Sequence, residues 1–517
     1  VSQPWDEEKG PRVIFADSTQ SIHLADMSGD GLTDIVRIRN GEVCYWPNLG
    51  YGRFGAKVTM DNAPWFDRPD IFNQRRIVLA DIDGSGTTDI LYLSGEGVQV
   101  YFNQSGNGWA AKRVLRSFPA INSVASVTAI DLLGNGTACL VWSSPLPGNG
   151  RRVMRYIDLM GGQKPHLLVK TVNNMGAETV VQYAPSTKFY LEDWQQGKPW
   201  ITKLPFPVYC VEKVTVTDKW RQTSFSTSYT YHHGYFDGIE REFRGFGRVE
   251  QLDVESYGEF ANGNSASPYI TTGKTLYQPP IKTVTWHHTG ALLENQRILT
   301  QFKHEYFPHW FEDLKPGVVN VLGTFQENDL PEPDLVAQDL STEEWREALR
   351  ACKGMMLRQE VYELDVDALE RGEHHPVKLF STAYHNCHIQ RLQARGINPH
   401  AVFLVTESEA ITYHYEMDLR SDDLLLDPRI AHTLNLNFDE YGNVLQAVAV
   451  VYPRLGQFED STLSTDAVDM IRQVQRETHL AYTETRFTND VETADSHRLR
   501  VPCEVLTYEL TGISPED

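Results

Sequence analysis

The chain has 517 residues, 41% of them hydrophobic and 11% aromatic, and a formal net charge of −22. That length allows about three domains of about 150 residues each, and the acidic surplus argues against nucleic acid and anionic membranes as partners, whose phosphates it would repel. No apolar run approaches the roughly 18 residues of a membrane span, and the six scattered cysteines, with no CxxC pair, suit neither a disulfide scaffold nor a zinc or thioredoxin site.

The chain starts at Val1, with no Met and no signal peptide, so a piece of a longer or processed polypeptide is expected. The first informative elements are two near-copies: residues 26–36 read DMSGDGLTDIV and residues 81–91 read DIDGSGTTDIL. In each, oxygen-bearing residues recur at every second position, a glycine bends the loop and a hydrophobic strand follows. A hard cation such as calcium takes six to eight oxygens. The candidate ligands are Asp26, Ser28, Asp30, the carbonyl of Leu32 and Asp34 in the first loop. In the second they are Asp81, Asp83, Ser85, the carbonyl of Thr87 and Asp89. Arg37 and Tyr92 stand where an EF-hand needs its bidentate Glu, so this is not that motif. The other reading is that the aspartates brace a turn through backbone N–H groups, with Gly31 and Gly86 supplying unusual backbone angles. Both readings stand at this stage.

A third, worn copy begins at Asp131 and lacks the third and last carboxylates, so it is expected to hold no metal. The first two loops are followed by aromatic strands (Tyr45 and Trp46; Tyr101 and Phe102), a glycine-rich turn and a further aromatic, Phe54 or Trp109. Starts at 26, 81 and 131 give a period of about 50 residues, the size of a β-propeller blade. These units resemble FG-GAP/VCBS repeats, the blades of integrin-type propellers. A closed ring usually needs about four to eight blades, so three copies predict a partial propeller over residues 1–165.

From about Lys170 the pattern becomes strand-like stretches and polar turns, over residues 173–183, 208–218 and 224–231, as in extended sheets. Residues 326–352 read as a helical insertion: Ser341 and Glu344 form a capping box, and Trp345, Leu349 and Cys352 follow at helical spacing. A short helix is expected near 466–475 through Val468, Ile471 and Val474. The expected organisation is therefore 1–165, a sheet region 166–325, the insertion 326–352 and a second sheet region 353–517.

Nothing points to catalysis. There is no GxSxG, P-loop or HExxH. The paired histidines, such as His232 and His233, point to opposite faces of a strand and chelate poorly. Trp286, Tyr413 and Tyr415 read as strand-packing aromatics. The cluster Glu240, Arg241, Glu242 and Arg244 reads as a solvated strand face or a cross-strand salt-bridge ladder. No catalytic residue is expected, and the protein is read as a non-enzyme.

The most distinctive string is residues 231–250, YHHGYFDGIEREFRGFGRVE, supported by 356–365 (MLRQEVYELD), 411–416 (ITYHYE), 427–434 (DPRIAHTL) and the YD-like turn of RHS type at 438–445 (FDEYGNVL). Together they resemble the B component of bacterial toxin complexes (Tc toxins), in the family that includes the Salmonella virulence protein SpvB. The resemblance implies an all-β fold, with a partial propeller followed by RHS-type shell strands and short helical insertions. It implies a secreted assembly component that helps encapsulate the toxic C-terminal polypeptide of a C component and docks, through the propeller, on the pore-forming A component. Direct membrane insertion is not expected. The alternative reading is a calcium-dependent adhesion or ligand-binding propeller.

Overall fold

The computed structural model describes residues 6–513 except 12–13, 120, 123, 221–222, 256–278, 294–297, 300, 308–326, 328–329, 334–339, 422–426 and 457. The protein is mostly β and divides into two compact units. The first holds residues 1–169 with 184–187 and 206–210; the second holds 170–183, 188–205 and 211–517.

The first unit is a series of three open antiparallel sheets, one for each repeat. Gln20–Ala25, Asp34–Arg39, Glu42–Trp46 and Val58–Thr59 form the first, in chain order; Ile77–Ala80, Asp89–Ser94, Gly97–Tyr101 and Arg113–Leu115 form the second; Ser126–Ile130, Cys139–Ser143 and Met154–Asp158 form the third. Each aspartate loop joins the first two strands of its sheet, so the repeat seen in sequence is one sheet per period. The residue after the leading aspartate faces the core: Met27 and Ile82 are fully buried. Its counterpart in the worn copy, Leu132, is 39% exposed. Two apolar clusters fill the unit, one around Val36, Ile38, Tyr92 and Trp109, the other around Ile82, Leu91, Val98 and Leu140. Truncating such a side chain, as in Leu91→Ala, costs about 2–5 kcal/mol.

Successive sheets are stitched at the loops. The N–H of Thr88 donates to the carbonyl of Asp26 at 2.9 Å, and the Asn103 amide donates to the carbonyl of Met27 at 2.9 Å. The N–H of Ala138 repeats the link to Ile82 at 3.4 Å. A Cβ on Gly84 would stand 2.9 Å from the carbonyl oxygen of Gly136, and its φ of 70° is left-handed, so glycine is required twice over.

The second unit is built on a 13-stranded sheet whose strands lie in chain order, from Lys170–Val172 to Pro502–Leu510, and neighbours pair antiparallel from Tyr209–Asp218 onward. Among the described residues, only the strands of the hairpin Val491–Thr493/Ser496–Arg498 are set aside from it. Its fourth strand, Thr223–Asp237, is 15 residues long and alternates Ser/Thr with aromatics over its first half. The helix Thr342–Ala351 opens with the capping box, Ser341 and Glu344 bonding each other's backbone N–H. Its apolar side places Ala348, Leu349 and Cys352 in the main core with Leu357, Leu379 and Ile389. The helix is shorter than the 326–352 read from sequence: residues 330–333 are not helical, and 326, 328–329 and 334–339 lie outside the described residues. The second expected helix runs Thr465–Gln475, capped by Ser464. A further helix, Ser186–Gln195, occupies a stretch whose surroundings read as strands alone. No helix among the described residues is long and apolar enough to cross a membrane.

Candidate functional site: aspartate loops and a buried polar row

In the first loop the carboxylates serve the backbone. Asp26 accepts from the N–H groups of Gly29 (2.7 Å) and Gly31 (2.8 Å), Asp30 from Leu32 (2.8 Å), and Asp34 from Met27 (2.9 Å) and Asn48 (2.8 Å). The second loop repeats the scheme. Asp81 accepts from Ser85 (3.0 Å) and Gly86 (2.9 Å), and Asp89 from Ile82 (3.0 Å) and Asn103 (2.7 Å). Asp131 of the worn copy still accepts from Asn135 and Gly136. The leading aspartate is thus a turn brace in all three copies, while the closing aspartate ties the first strand to the third and is missing from the third copy.

The two complete loops differ in one respect. Among the described residues, only Asp81, Asp83 and Asp89 bring three carboxylates within 4.8 Å of one another. Burial, reinforced by Asp83 and Asp81, pushes the Asp89 carboxyl up to about 7. Burial also raises Asp81. Burial works against ionised Asp83 too, but its hydrogen bonds to Ser85 and His166 prevail and hold it below the usual range; His166 Nε2 lies 3.0 Å from its Oδ2. Of the neutral candidates, the Ser85 hydroxyl bonds that of Thr87 at 3.0 Å, Thr87 is buried, Leu32 is exposed, and the Ser28 oxygen is buried without a hydrogen-bond partner among the described residues.

The second unit holds a feature that the sequence did not disclose. Residues directly opposed across antiparallel strands share a sheet face. His232 pairs with Arg248, Arg248 with Trp286, Trp286 with Arg358, and Arg358 with Tyr384, which makes one transverse row over five strands. The adjacent row carries Glu250, Val284, Glu360 and Thr382. Arg358 is fully buried. It donates to Glu327 at 2.7 Å and Glu360 at 2.6 Å, and its guanidinium lies 4.2 Å from the Tyr384 ring centre and 4.9 Å from that of Tyr306. Burial works against the charge on Arg358, yet Glu360 and Glu327 hold it well above its ordinary pKa. Burial opposes ionisation of Glu327, but Arg358, Thr382 and Tyr415 hold it low.

At the other end of the row, Glu305 accepts from His233 (2.8 Å), Trp286 (2.9 Å) and Arg248 (3.3 Å). These partners outweigh its burial and bring it down to about 2. His232 bonds Asp193 at 2.6 Å, and Asp193 also accepts from Trp200 at 2.6 Å. The paired histidines therefore serve two separate carboxylates and do not converge. His385 bonds Glu407 at 2.7 Å, while Cys387, beyond a register shift, is buried in the core. Trp286 and Tyr413 are buried in packing.

The charged cluster of the 231–250 string divides: Arg241 is exposed in the hairpin turn, whereas Arg244 is buried. Arg244 is 5% exposed, bonds Asp237 at 3.0 Å and Glu242 at 3.3 Å, and donates to the carbonyl of Gly290 at 2.8 Å. Glu240 and Glu242 meet Arg350 and Lys353 at the end of the capped helix. Arg244–Asp237 is a cross-strand pair, and the remaining pairs run along one strand or to the end of the helix and do not make a ladder between strands.

The family model of the insecticide toxin TcdB middle/N-terminal region matches residues 103–267, and that of the TcdB middle/C-terminal region matches residues 347–500. The chain belongs with the TcdB-type B components of Tc toxins. Among solved structures, 96% of it is similar to TcdB2 in a TcdB2–TccC3–Cdc42 crystal structure, with 25% identity and a TM-score of 0.70. A TcdB2–TccC3 crystal structure matches at 26% identity and 0.69. The Photorhabdus luminescens Tc holotoxin pore matches at 26% identity and 0.70. The chain spans about a fifth of these TcdB-type relatives, 22% of the first. No curated relative matches.

Proposed function

We propose that the protein is a non-enzymatic structural and assembly component of a toxin complex. In this reading the 13-stranded sheet forms part of the wall that encloses the toxic polypeptide of a C component. The three sheets of the first unit form part of a propeller that docks on, and gates release into, a pore-forming A component. The observation that carries the reading is the structural match, over 96% of this chain, to TcdB2 solved together with TccC3 and to a chain of a Tc holotoxin pore. The buried row supports it as well, because every charge in it is matched by internal partners, which suits a rigid wall. The test is size-exclusion chromatography of the chain mixed with a purified TccC3-type C component and then with a pore-forming component. Co-elution with the C component is expected; separate elution from both contradicts the reading.

We further infer that the second aspartate loop, through Asp81, Asp83 and Asp89, takes calcium, since its three carboxylates converge and the ion's charge would offset the cost of ionising Asp89. Bound there, calcium stiffens the loop. The expected result is a thermal midpoint that rises with calcium and falls with chelator; a chelator-insensitive midpoint contradicts it. The same convergence is what favours the second reading, a calcium-dependent adhesion propeller. That reading additionally requires calcium-dependent binding to cells or glycans.

A further inference from the structure

The capped helix Thr342–Ala351 ends on Cys352, whose backbone N–H closes the last turn. Glu344 in its first turn bonds Arg391 at 3.4 Å, and Glu347 bonds His400 at 2.9 Å, so the helix lies on the strand Pro376–Gln393 and the turn after it. With Glu344 held at Arg391, the eight residues from Glu344 to Cys352 rise about 12 Å along the helix. The four from Arg391 back to Cys387 span about 13 Å of strand. A helix running back along the strand therefore brings Cys352 level with Cys387.

The strand is shaped to meet it. Successive side chains of a strand point to opposite faces, so Tyr384 and Cys387, three positions apart, belong on opposite faces of a regular strand. Here the pairing with Val402–Asp418 slips between Asn386 and Cys387, opposite the extra residue Ser408. Such a slip re-aims the side chains around it. Tyr384 packs on the main core, and Cys387 and Ile389 lie inside that core with Leu349 and Cys352. Cys352 and Cys387 are only 1% and 2% exposed. The Cys352 thiol reaches the carbonyl of Ala348 at 3.5 Å and is in hydrogen-bonding contact with the thiol of Cys387. That contact first, and burial second, push the Cys352 thiol well above its ordinary pKa.

We propose that Cys352 and Cys387 are a disulfide-forming pair that clamps the end of this helix to the sheet in an oxidising medium. The oxidant is a small disulfide of the glutathione class. One cysteine thiolate attacks it, forming a mixed disulfide and expelling one glutathione thiolate. The second cysteine gives up its proton and attacks the protein sulfur of the mixed disulfide, expelling the other. Two electrons pass from the protein to the oxidant, and the two thiol protons end on the two glutathiones. A buried, protonated thiol is a poor nucleophile. The first attack therefore belongs to the chain with the helix lifted, and the second follows as the helix seats. The bond closes a loop of about 36 residues and restricts the unfolded chain.

The test holds the full 517-residue chain with oxidised glutathione in urea just below its unfolding midpoint. The product is alkylated under denaturing conditions and digested for mass spectrometry. A Cys352–Cys387 crosslinked peptide, lighter by two hydrogens than its separate halves, is expected in most molecules. After removal of urea, the melting temperature of the second unit should exceed that of the dithiothreitol-reduced chain by about 5–10 °C. Cys387→Ala should lose both the crosslink and the redox-dependent shift, and the peptide map of the parent chain stands whether or not that variant folds. Alkylation of both Cys352 and Cys387, a glutathione adduct on the exposed Cys503 alone, or a crosslink that leaves the melting temperature unchanged would each overturn the proposal.

Discussion

Asp34 and Asp89 in the first unit and Glu305 and Glu327 in the second are all carboxylates removed from water, yet their neighbours differ in kind. The aspartates accept neutral backbone N–H groups and sit near other aspartates, so burial wins and their carboxyls are raised. The glutamates face Arg248 or Arg358, and the paired charge outweighs burial. The lesson is that burial alone does not set the charge state; the nearest cation does. One unit is left with unmet negative charge that a cation could satisfy, and the other is internally neutralised.

The largest expected effect breaks the second half of that contrast. Arg358→Met leaves Glu327 and Glu360 buried without their cation, and should cost about 3–5 kcal/mol in urea unfolding of the second unit. Replacing all three together, as R358M with E327L and E360L, should cost less than R358M alone, because no orphan charge remains. If the triple change is the more damaging, the row acts through packing and not through charge pairing.

The two units should also respond to pH with opposite sign. Asp89 has a folded pKa of about 7, above its ordinary 3.8. The folded form takes up the proton first, so this group adds stability as pH falls from 7 toward 4, by about 4 kcal/mol at most. Protection factors in strand Asp89–Ser94, which remove the intrinsic pH dependence of exchange, should therefore rise on mild acidification without calcium, and Asp89→Asn should abolish that rise. Saturating calcium should reverse it, because the ion requires the ionised carboxylate.

His288 in the second unit behaves the other way. Burial first, and Arg244 second, push its imidazole down to about 4. Its Nδ1 accepts from the N–H of Gly290 at 3.0 Å, which fixes the neutral tautomer. The unfolded chain takes up the proton first, so stability is lost as pH falls from 6.5 to about 4, by about 3 kcal/mol. Urea midpoints across that window should show the slope in the parent and not in His288→Phe. Glu305 adds a second acid-side loss, from about 4.5 down to 2.

The smallest expected effect is Ser341→Ala, which removes the cap of Thr342–Ala351 and should cost about 1 kcal/mol. Glu344 also bonds the N–H of Arg395 at 3.0 Å, so fraying of this helix should appear as faster exchange in the 391–401 turn as well.

What could be read from the sequence follows from these distances along the chain. The aspartate loops, the capping box at Ser341 and Glu344 and the helix over Thr465–Gln475 are set by residues a few positions apart, and the sequence exposes them directly. The row from His232 to Tyr384 is not local. Arg358 meets Glu327 31 residues away, and Arg248 meets Glu305 57 residues away. The register of the sheet aligns the arginines, the connection between Ile281–His287 and Met356–Leu364 brings Glu305 and Glu327 onto them, and nothing in the spacing of single charges marks them as buried. Arg244 shows the same limit: in sequence it stands in a charged run, yet cross-strand pairing and Gly290 enclose it. The helix Ser186–Gln195 escaped because its flanks alternate like strands. Asp83 of the converging trio also bonds His166, 83 residues away, which spacing within the loop does not reveal.

The most direct test of the assembly reading is electron microscopy of the chain bound to a TccC3-type C component. The account predicts that the 13-stranded sheet is continuous with the wall of a closed shell and that the three aspartate-loop sheets lie at its docking end. A complex in which the sheet lies free of the C component, or a failure to form any complex, would contradict it.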